Sequence, residues 1–294
     1  MTRFRKSFLV LLIGAGMHLT AAAAPDVVPL TFINNLPFVN VKVGAASTQL
    51  MIDSGGKLGI SLPGSTVTAS GSVTLLDEKT RFRDLHGQVF EVQNLVANQV
   101  VVGATAVKPV QGRIHTEWGG APEGQDAALT QARRAGAIGL AAFGDRALEF
   151  DYARRRLSIH AAGQGPQQGQ DGWHELPLEY GAVGPNIVLH IHGKALKFVL
   201  DTGAQINLVD PASVPQELAE RSCVTTATPA PACDPRSLGE AHDGQGRSVG
   251  ALSAERVKLG GAPFDGILGA PFFSAHRVLI DLTGKRLLIA PNRE

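Results

Sequence analysis

Leu50-Met51-Ile52-Asp53-Ser54-Gly55 and Phe198-Val199-Leu200-Asp201-Thr202-Gly203 are the stretches whose reading sets the fold. Each is an apolar run that ends in Asp, a small hydroxyl residue and Gly. They lie 148 residues apart, and the same shift aligns their surroundings without a gap. Pro29-Leu30 falls on Pro177-Leu178, Phe32 on Tyr180, Pro37 on Pro185, Ile60 on Leu208 and Pro63 on Pro211. Self-similarity of this kind marks a duplicated structural unit.

Two further blocks extend the repeat. A shift of 157 places Gly87-Gln88 on Gly244-Gln245, Val92 on Val249 and Leu95 on Leu252. A shift of 130 places Gly136 on Gly266, Phe143 on Phe273, Asp151 on Asp281 and Arg156-Leu157 on Arg286-Leu287. Block order is the same in both halves, so changing loop lengths account for the changing shift. The expected organisation is a first lobe over 28–161, a linker over 162–175 rich in Gly and Gln, and a second lobe over 176–291. Most segments read as strands: Val39–Val43, Gln49–Ile52, Val89–Val102, Ile187–Ile191, Lys197–Leu200 and Arg247–Leu259 are rich in β-branched residues or alternate with period two. Ala127–Ala135, in an insertion of the first half over 111–135, is the best helical candidate. The expected fold is all-β and two-lobed, with a cleft between the lobes.

Composition bounds the rest. The chain has 294 residues, 44% of them hydrophobic, and 27 Lys+Arg against 26 Asp+Glu. That balance gives no basic footprint for nucleic acid. Arg3, Arg5 and Lys6 precede the apolar run Phe8–Met17 and the small residues Ala21–Ala24, so 1–23 reads as a signal peptide. Export to a periplasm or to the outside is the implied destination. The mature chain has no apolar run long enough to span a bilayer. Cys223 and Cys233 are the only two cysteines, and in an exported chain they are candidates for a short-loop disulfide.

A carboxylate at the end of a hydrophobic strand is costly unless it is hydrogen-bonded or at work. One Asp-Ser/Thr-Gly arises by chance in roughly one chain in ten of this length at average composition. Two at one register of a repeat are far harder to reach by accident. Twofold-related loops can meet face to face. Two carboxylates so placed share a proton and titrate as a pair. The ionised oxygen can take a proton from water while its partner donates to a carbonyl oxygen, with no metal and no cofactor.

With the downstream Ala137-Ile138-Gly139 and Ile267-Leu268-Gly269, these motifs resemble the aspartic proteases. The wording around Leu200-Asp201-Thr202-Gly203-Ala204 is similar to the retropepsin-like branch, duplicated in one chain as in the pepsin-like enzymes. The resemblance implies that Asp53 and Asp201 are the catalytic dyad, with Ser54, Gly55, Thr202 and Gly203 supporting it. It implies flap-like segments at Gly87–Val92 and Gly244–Val249, with His86, Gly87, Phe90, Gly244 and Gln245 facing an extended peptide or protein substrate. A monomer suffices to build such a site. The first copy departs from the pattern at Gly56-Lys57, and neither Tyr152 nor Tyr180 lies in a flap segment, which keeps a catalytically silent peptide-binding relative as the alternative. Other motifs reduce to simpler readings. Gly246-Arg247-Ser248-Val249-Gly250 matches a nucleophile elbow but lies in a repeated strand block. His190 and His192 are expected to share one face of a strand without a third ligand for a metal. Trp118 and Trp173 are expected either to line the cleft or to cap the lobe junction.

Overall fold

The computed structural model describes residues 24–83, 89–116, 130, 134–181, 183–219 and 236–292. The expected signal peptide, most of the 111–135 insertion with Trp118, and both cysteines lie outside them; of the helical candidate Ala127–Ala135, Thr130, Arg134 and Ala135 are described, the first two as helix. The described strands form three sheets, of ten, eight and six strands.

The ten-stranded sheet belongs to the first half. Leu36–Val43 and Ala46–Asp53 form a hairpin, from Phe38 opposite Met51 to Val43 opposite Ala46. Val39, Val41 and Val43 are buried while Asn40 and Lys42 between them are exposed, the alternation of a strand with one wet face. Ala137–Gly139 runs parallel to the end of Ala46–Asp53, with Gly139 opposite Asp53, and antiparallel to Ile60–Leu62. The eight-stranded sheet of the second half repeats this wiring. Gly184–Ile191 and Lys194–Leu200 form the hairpin, and Gly266–Leu268 runs parallel to Lys194–Leu200 and antiparallel to Leu208–Val209. Each Asp therefore follows a fully buried residue, Ile52 or Leu200, beside an equally buried Ile138 or Leu268. Burying each such side chain contributes about 1.5–3 kcal/mol, which anchors the otherwise costly loops.

The six-stranded sheet joins the halves. Its order is Asp26–Pro29, Arg156–His160, Ala147–Asp151, His276–Asp281, Arg286–Pro291 and His174–Pro177. Read from either edge, the strands are repeat equivalents. At the centre Glu149 stands opposite Leu279, its own equivalent at the 130-residue shift, so a pseudo-twofold axis passes through that pair. Asp151 and Asp281 end the two central strands and are fully buried. Asp151 accepts the Arg154 N–H at 2.9 Å and pairs with Arg154 and Arg156. Asp281 accepts the Gly284 N–H at 2.8 Å. On one face of the sheet Trp173 packs with Ala147, Leu279, Leu288 and Ala290, under the Arg277 guanidinium. Trp173 thus caps the lobe junction.

The structure differs from the sequence expectations at several places. His192 leaves the strand at φ 48°, in the turn after Ile191, so it does not share a strand face with His190. By contrast, the strand-block reading of Gly246–Gly250 agrees with the structure: Ser248 opens the strand Ser248–Ser253 and bonds Glu240 across a hairpin. Arg247–Leu259 is broken: Ser248–Ser253 and Glu255–Arg256 are strands, and the rest is not. No helix among the described residues is long and apolar enough to cross a membrane.

The repeat-equivalent hairpins dock on different neighbours. Val73–Arg83 and Val89–Ala97 pair with each other, and the second lies against Val110–Ile114, next to Ile60–Leu62. Ser237–His242 and Ser248–Ser253 instead lie against the far end of Gly184–Ile191, with His242 opposite His190. Their turn is built by Asp243. It accepts the Gln245 and Arg247 N–H groups and the Arg247 Nε at 2.6 Å, while Arg247 also donates to the Glu175 carbonyl at 2.9 Å. Burial opposes the charge on Asp243, but these donors outweigh it and lower its pKa. Arg247→Ala is expected to destabilise the fold by about 1–3 kcal/mol, because a nearly buried carboxylate loses its charged partner. The urea midpoint measures it; an unchanged midpoint would show the turn to be independent of the pair.

Candidate active site

Ser54 and Thr202 hold the two Asp loops together reciprocally. The Ser54 N–H donates to Thr202 Oγ1 at 2.9 Å, and the Thr202 N–H donates to Ser54 Oγ at 2.9 Å. Each hydroxyl then donates into the opposite strand: Ser54 Oγ to the Leu200 carbonyl at 2.8 Å, Thr202 Oγ1 to the Ile52 carbonyl at 2.7 Å. Both side chains are fully buried. A hydroxyl is needed because each position must accept one bond and donate another in the same place.

This lattice brings the carboxyls of Asp53 and Asp201 within hydrogen-bonding reach of one another. The Gly56 N–H donates to Asp53 Oδ1 at 2.9 Å and the Gly203 N–H to Asp201 Oδ1 at 2.8 Å. Gly55 makes the approach possible: a Cβ there would sit 2.4 Å from Asp201 Cγ, whereas one on Gly203 would meet Asp53 Cγ at 3.4 Å, an ordinary contact. The turn that leads into Leu36–Val43 or Gly184–Ile191 also crosses to the other half's loop. Gly184, at φ +88°, packs on the Ser54 and Gly55 carbonyls, and the Gln205 side chain donates to the Asn34 carbonyl at 3.1 Å.

Asp53 and Asp201 are both half-buried. That burial sets the dielectric. Burial is the main cause that raises both pKa values, with Asp201 pushed up to about 7. The charge falls on Asp53 first. Its negative charge is the second cause that raises Asp201, whereas on Asp53 the opposing causes are the N–H donors of Gly56 and Gly55, the Arg113 charge and the bond from Asp201. The pair can therefore hold one proton, and the two groups titrate as a unit.

Two side chains near the dyad carry no sequence motif. Arg113, on Val110–Ile114, lays its guanidinium 4.0 Å over the Phe82 ring, which stacks on Phe90 at 5.2 Å. Burial lowers the Arg113 pKa and Asp53 opposes that, so the two charges feel each other. Tyr152 is buried and stacked on Phe273, its hydroxyl makes no hydrogen bond among the described residues, and burial, then Asp201, raises its pKa well above the usual value. Lys57 is exposed. It lines a cavity of about 490 Å³ with Lys108, Gln111, Asp145 and Arg146, and neither aspartate lines it.

The predicted site residues therefore divide. Asp53, Ser54, Gly55, Asp201, Thr202 and Gly203 come together. Phe90 lies on the hairpin that Arg113 touches, while His86 and Gly87 lie outside the described residues. Gly244 and Gln245 are not brought to the dyad. Their turn adjoins His190, six residues along the strand from Gly184 and so about 20 Å away. The cause is the different docking of the second hairpin, which the repeat conceals.

No protein-family model matches the chain, and no curated protein matches its sequence. Its fold is similar to that in the crystal structure of aspartic proteinase from Irpex lacteus, with a TM-score of 0.60 and 15% identity over 92% of this chain and 98% of that one. The mostly-β, two-lobed architecture is thus that of an aspartic proteinase.

Proposed function

We propose that this chain is an aspartic endopeptidase that cleaves peptide bonds with water activated by Asp53 and Asp201. One observation carries the reading: two carboxyls on twofold-related loops face each other over a buried Ser54–Thr202 lattice, each against the other loop's glycine, and burial pushes the Asp201 pKa up to about 7. The fold shared with a proteinase supports it.

The chemistry follows from that arrangement. A water held between the carboxyls gives a proton to ionised Asp53 as its oxygen attacks the substrate carbonyl carbon. Asp201 gives its proton to the carbonyl oxygen, so no full oxyanion forms. In the tetrahedral diol the charge has moved to Asp201. Asp53 then protonates the leaving nitrogen, Asp201 recovers a proton from a diol hydroxyl, and the C–N bond breaks. No group outside the pair is consumed.

The pH dependence tests this. Asp201 must be protonated, so cleavage of an unfolded protein is expected to fall as pH rises through about 7. It is also expected to fall in acid as Asp53 takes a proton, at a pH above the ordinary 3.8. Following product peptides from pH 2 to pH 9 measures both limbs. Peptide binding without cleavage at any pH would overturn the enzymatic reading and leave a silent binder.

A further inference from the structure

We propose, building on the endopeptidase reading, that Arg113 binds an acidic side chain of the substrate on the first-lobe side of the scissile bond. Peptides with Glu or Asp beside that bond are then the favoured substrates.

Placement comes first. Val110–Ile114 lies between the hairpin strand Val89–Ala97, where Arg113 stands opposite Asn94, and Ile60–Leu62, where it stands opposite Ser61. It is thus inserted between the hairpin and the strands leading to Asp53. Ser61 in turn stands opposite Ala137, and Ala137 opposite Met51, two residues before Asp53, so Arg113 and Asp53 share one face of the sheet; the Arg113 charge also acts on Asp53.

Its contacts leave its donors open. Phe82 takes the flat face of the guanidinium. Stacking occupies that face and leaves the N–H groups at the edge in a planar fork. Among the described residues the Arg113 side chain makes no ion pair and no hydrogen bond, and its interaction with Asp53 acts through the field alone. Arg113 is half-buried, and none of its nitrogens is both buried and unpartnered, so the open donors face solvent where a ligand can reach them. A carboxylate from a ligand would meet two of them in parallel, the geometry for which arginine is best shaped.

The adjoining wall has the same sign. Gln111 precedes Arg113 by two residues, so the two share a strand face. Gln111 lines the 490 Å³ cavity, whose charged lining is Lys57, Lys108 and Arg146 against Asp145 alone. Positive potential along that wall attracts an acidic segment and repels a basic one.

The test compares matched peptides that differ only by Glu or Gln next to the cleaved bond, at pH 5.5 where free Glu is ionised. The native chain is expected to cleave the Glu peptide with a kcat/KM about 10-fold higher, the worth of one charge-assisted hydrogen bond. Arg113→Gln is expected to bring that ratio to about 1, and Arg113→Glu to turn the preference toward a Lys peptide. Arg113→Lys, which keeps the charge and loses the fork, should give an intermediate ratio and serves if the other two do not fold. A native ratio of 1, or a preference untouched by these changes, would overturn the proposal. If the native chain cleaves neither peptide, the endopeptidase reading is what fails. Binding of labelled Glu and Gln peptides to the intact chain then still decides the Arg113 proposal. About 10-fold tighter binding of the Glu form upholds it, and equal binding overturns it.

Discussion

Asp201→Asn is expected to lower peptide turnover by at least about 10³-fold, because it removes the one proton donor that can meet the substrate carbonyl oxygen. Asp53→Asn is expected to do the same by removing the base. An amide cannot serve in either role: it neither takes a proton from water nor gives one up near neutrality. The same change should leave the fold intact and make it more stable in base. Asp201 has its folded pKa raised to about 7, above the ordinary 3.8. A carboxyl raised in this way binds its proton more tightly when folded. The stability it contributes is full below pH 3.8 and is lost as pH rises through about 7. Asn, which never ionises, escapes that loss. At pH 8 the variant is expected to unfold at a higher denaturant concentration, with a gain on the order of 1 kcal/mol or more, and at pH 3 the gain should vanish. Steady-state cleavage and urea titrations at both pH values measure the two effects. Turnover within about 10-fold of the native chain would remove Asp201 from the chemistry. Loss of activity without the stability gain would mean that its burial is not what raises its pKa.

That one substitution can be expected to help the fold and end the activity shows where the chain carries its strain. Both Asp loops follow buried residues, Ile52 and Leu200, and both are fastened by hydroxyls that reach across to the other half. The shared six-stranded sheet beneath fixes the relation of the halves through Glu149 and Leu279. Rigid supports are what allow two carboxyls to be held together without the loops moving apart.

The repeat is legible in the sequence because strand ends carry residue types that only a few local geometries accept. An apolar run ending in Asp-Ser/Thr-Gly specifies a buried strand and a tight loop in one stroke, and the fold class follows from finding it twice. Which atoms Ser54 and Thr202 hold is not legible, since each bond crosses between halves of the chain. Arg113 is silent for another reason: one arginine in a five-residue strand has no pattern, and its meaning comes from Phe82 and Asp53, which are distant in sequence. The repeat misleads at Gly244 and Gln245. Equivalent positions need not have equivalent neighbours, and the second hairpin pairs with Gly184–Ile191 where the first pairs with Val110–Ile114. Asp243 and Arg247, which fix that turn, fall on His86 and Phe90 at the 157-residue shift, so the first half has no such ion pair at the matching positions.

Thr202→Val is expected to destabilise the chain by about 3 kcal/mol, although it keeps the side chain's shape. Valine removes the oxygen that accepts the Ser54 N–H and donates to the Ile52 carbonyl. Both backbone groups lie where water has no access, and each unmet group costs about 1–3 kcal/mol. Against a total stability of about 5–15 kcal/mol, that is a large fraction. Activity should fall as well, since the loop carrying Asp53 loses a tie to its partner. Thr202→Ser, which restores the oxygen and drops only a methyl group, is expected to recover most of both. A double-mutant cycle with Ser54→Ala separates the lattice from its parts. Because the two hydroxyls serve each other's backbone, the double variant is expected to cost less than the sum of the single ones. Guanidinium titrations of the four chains, with m held constant, supply the comparison. Strict additivity would mean that the two hydroxyls act as separate local bonds. A Thr202→Val chain as stable and as active as the native one would mean that the Asp loops are held in register by their strands alone.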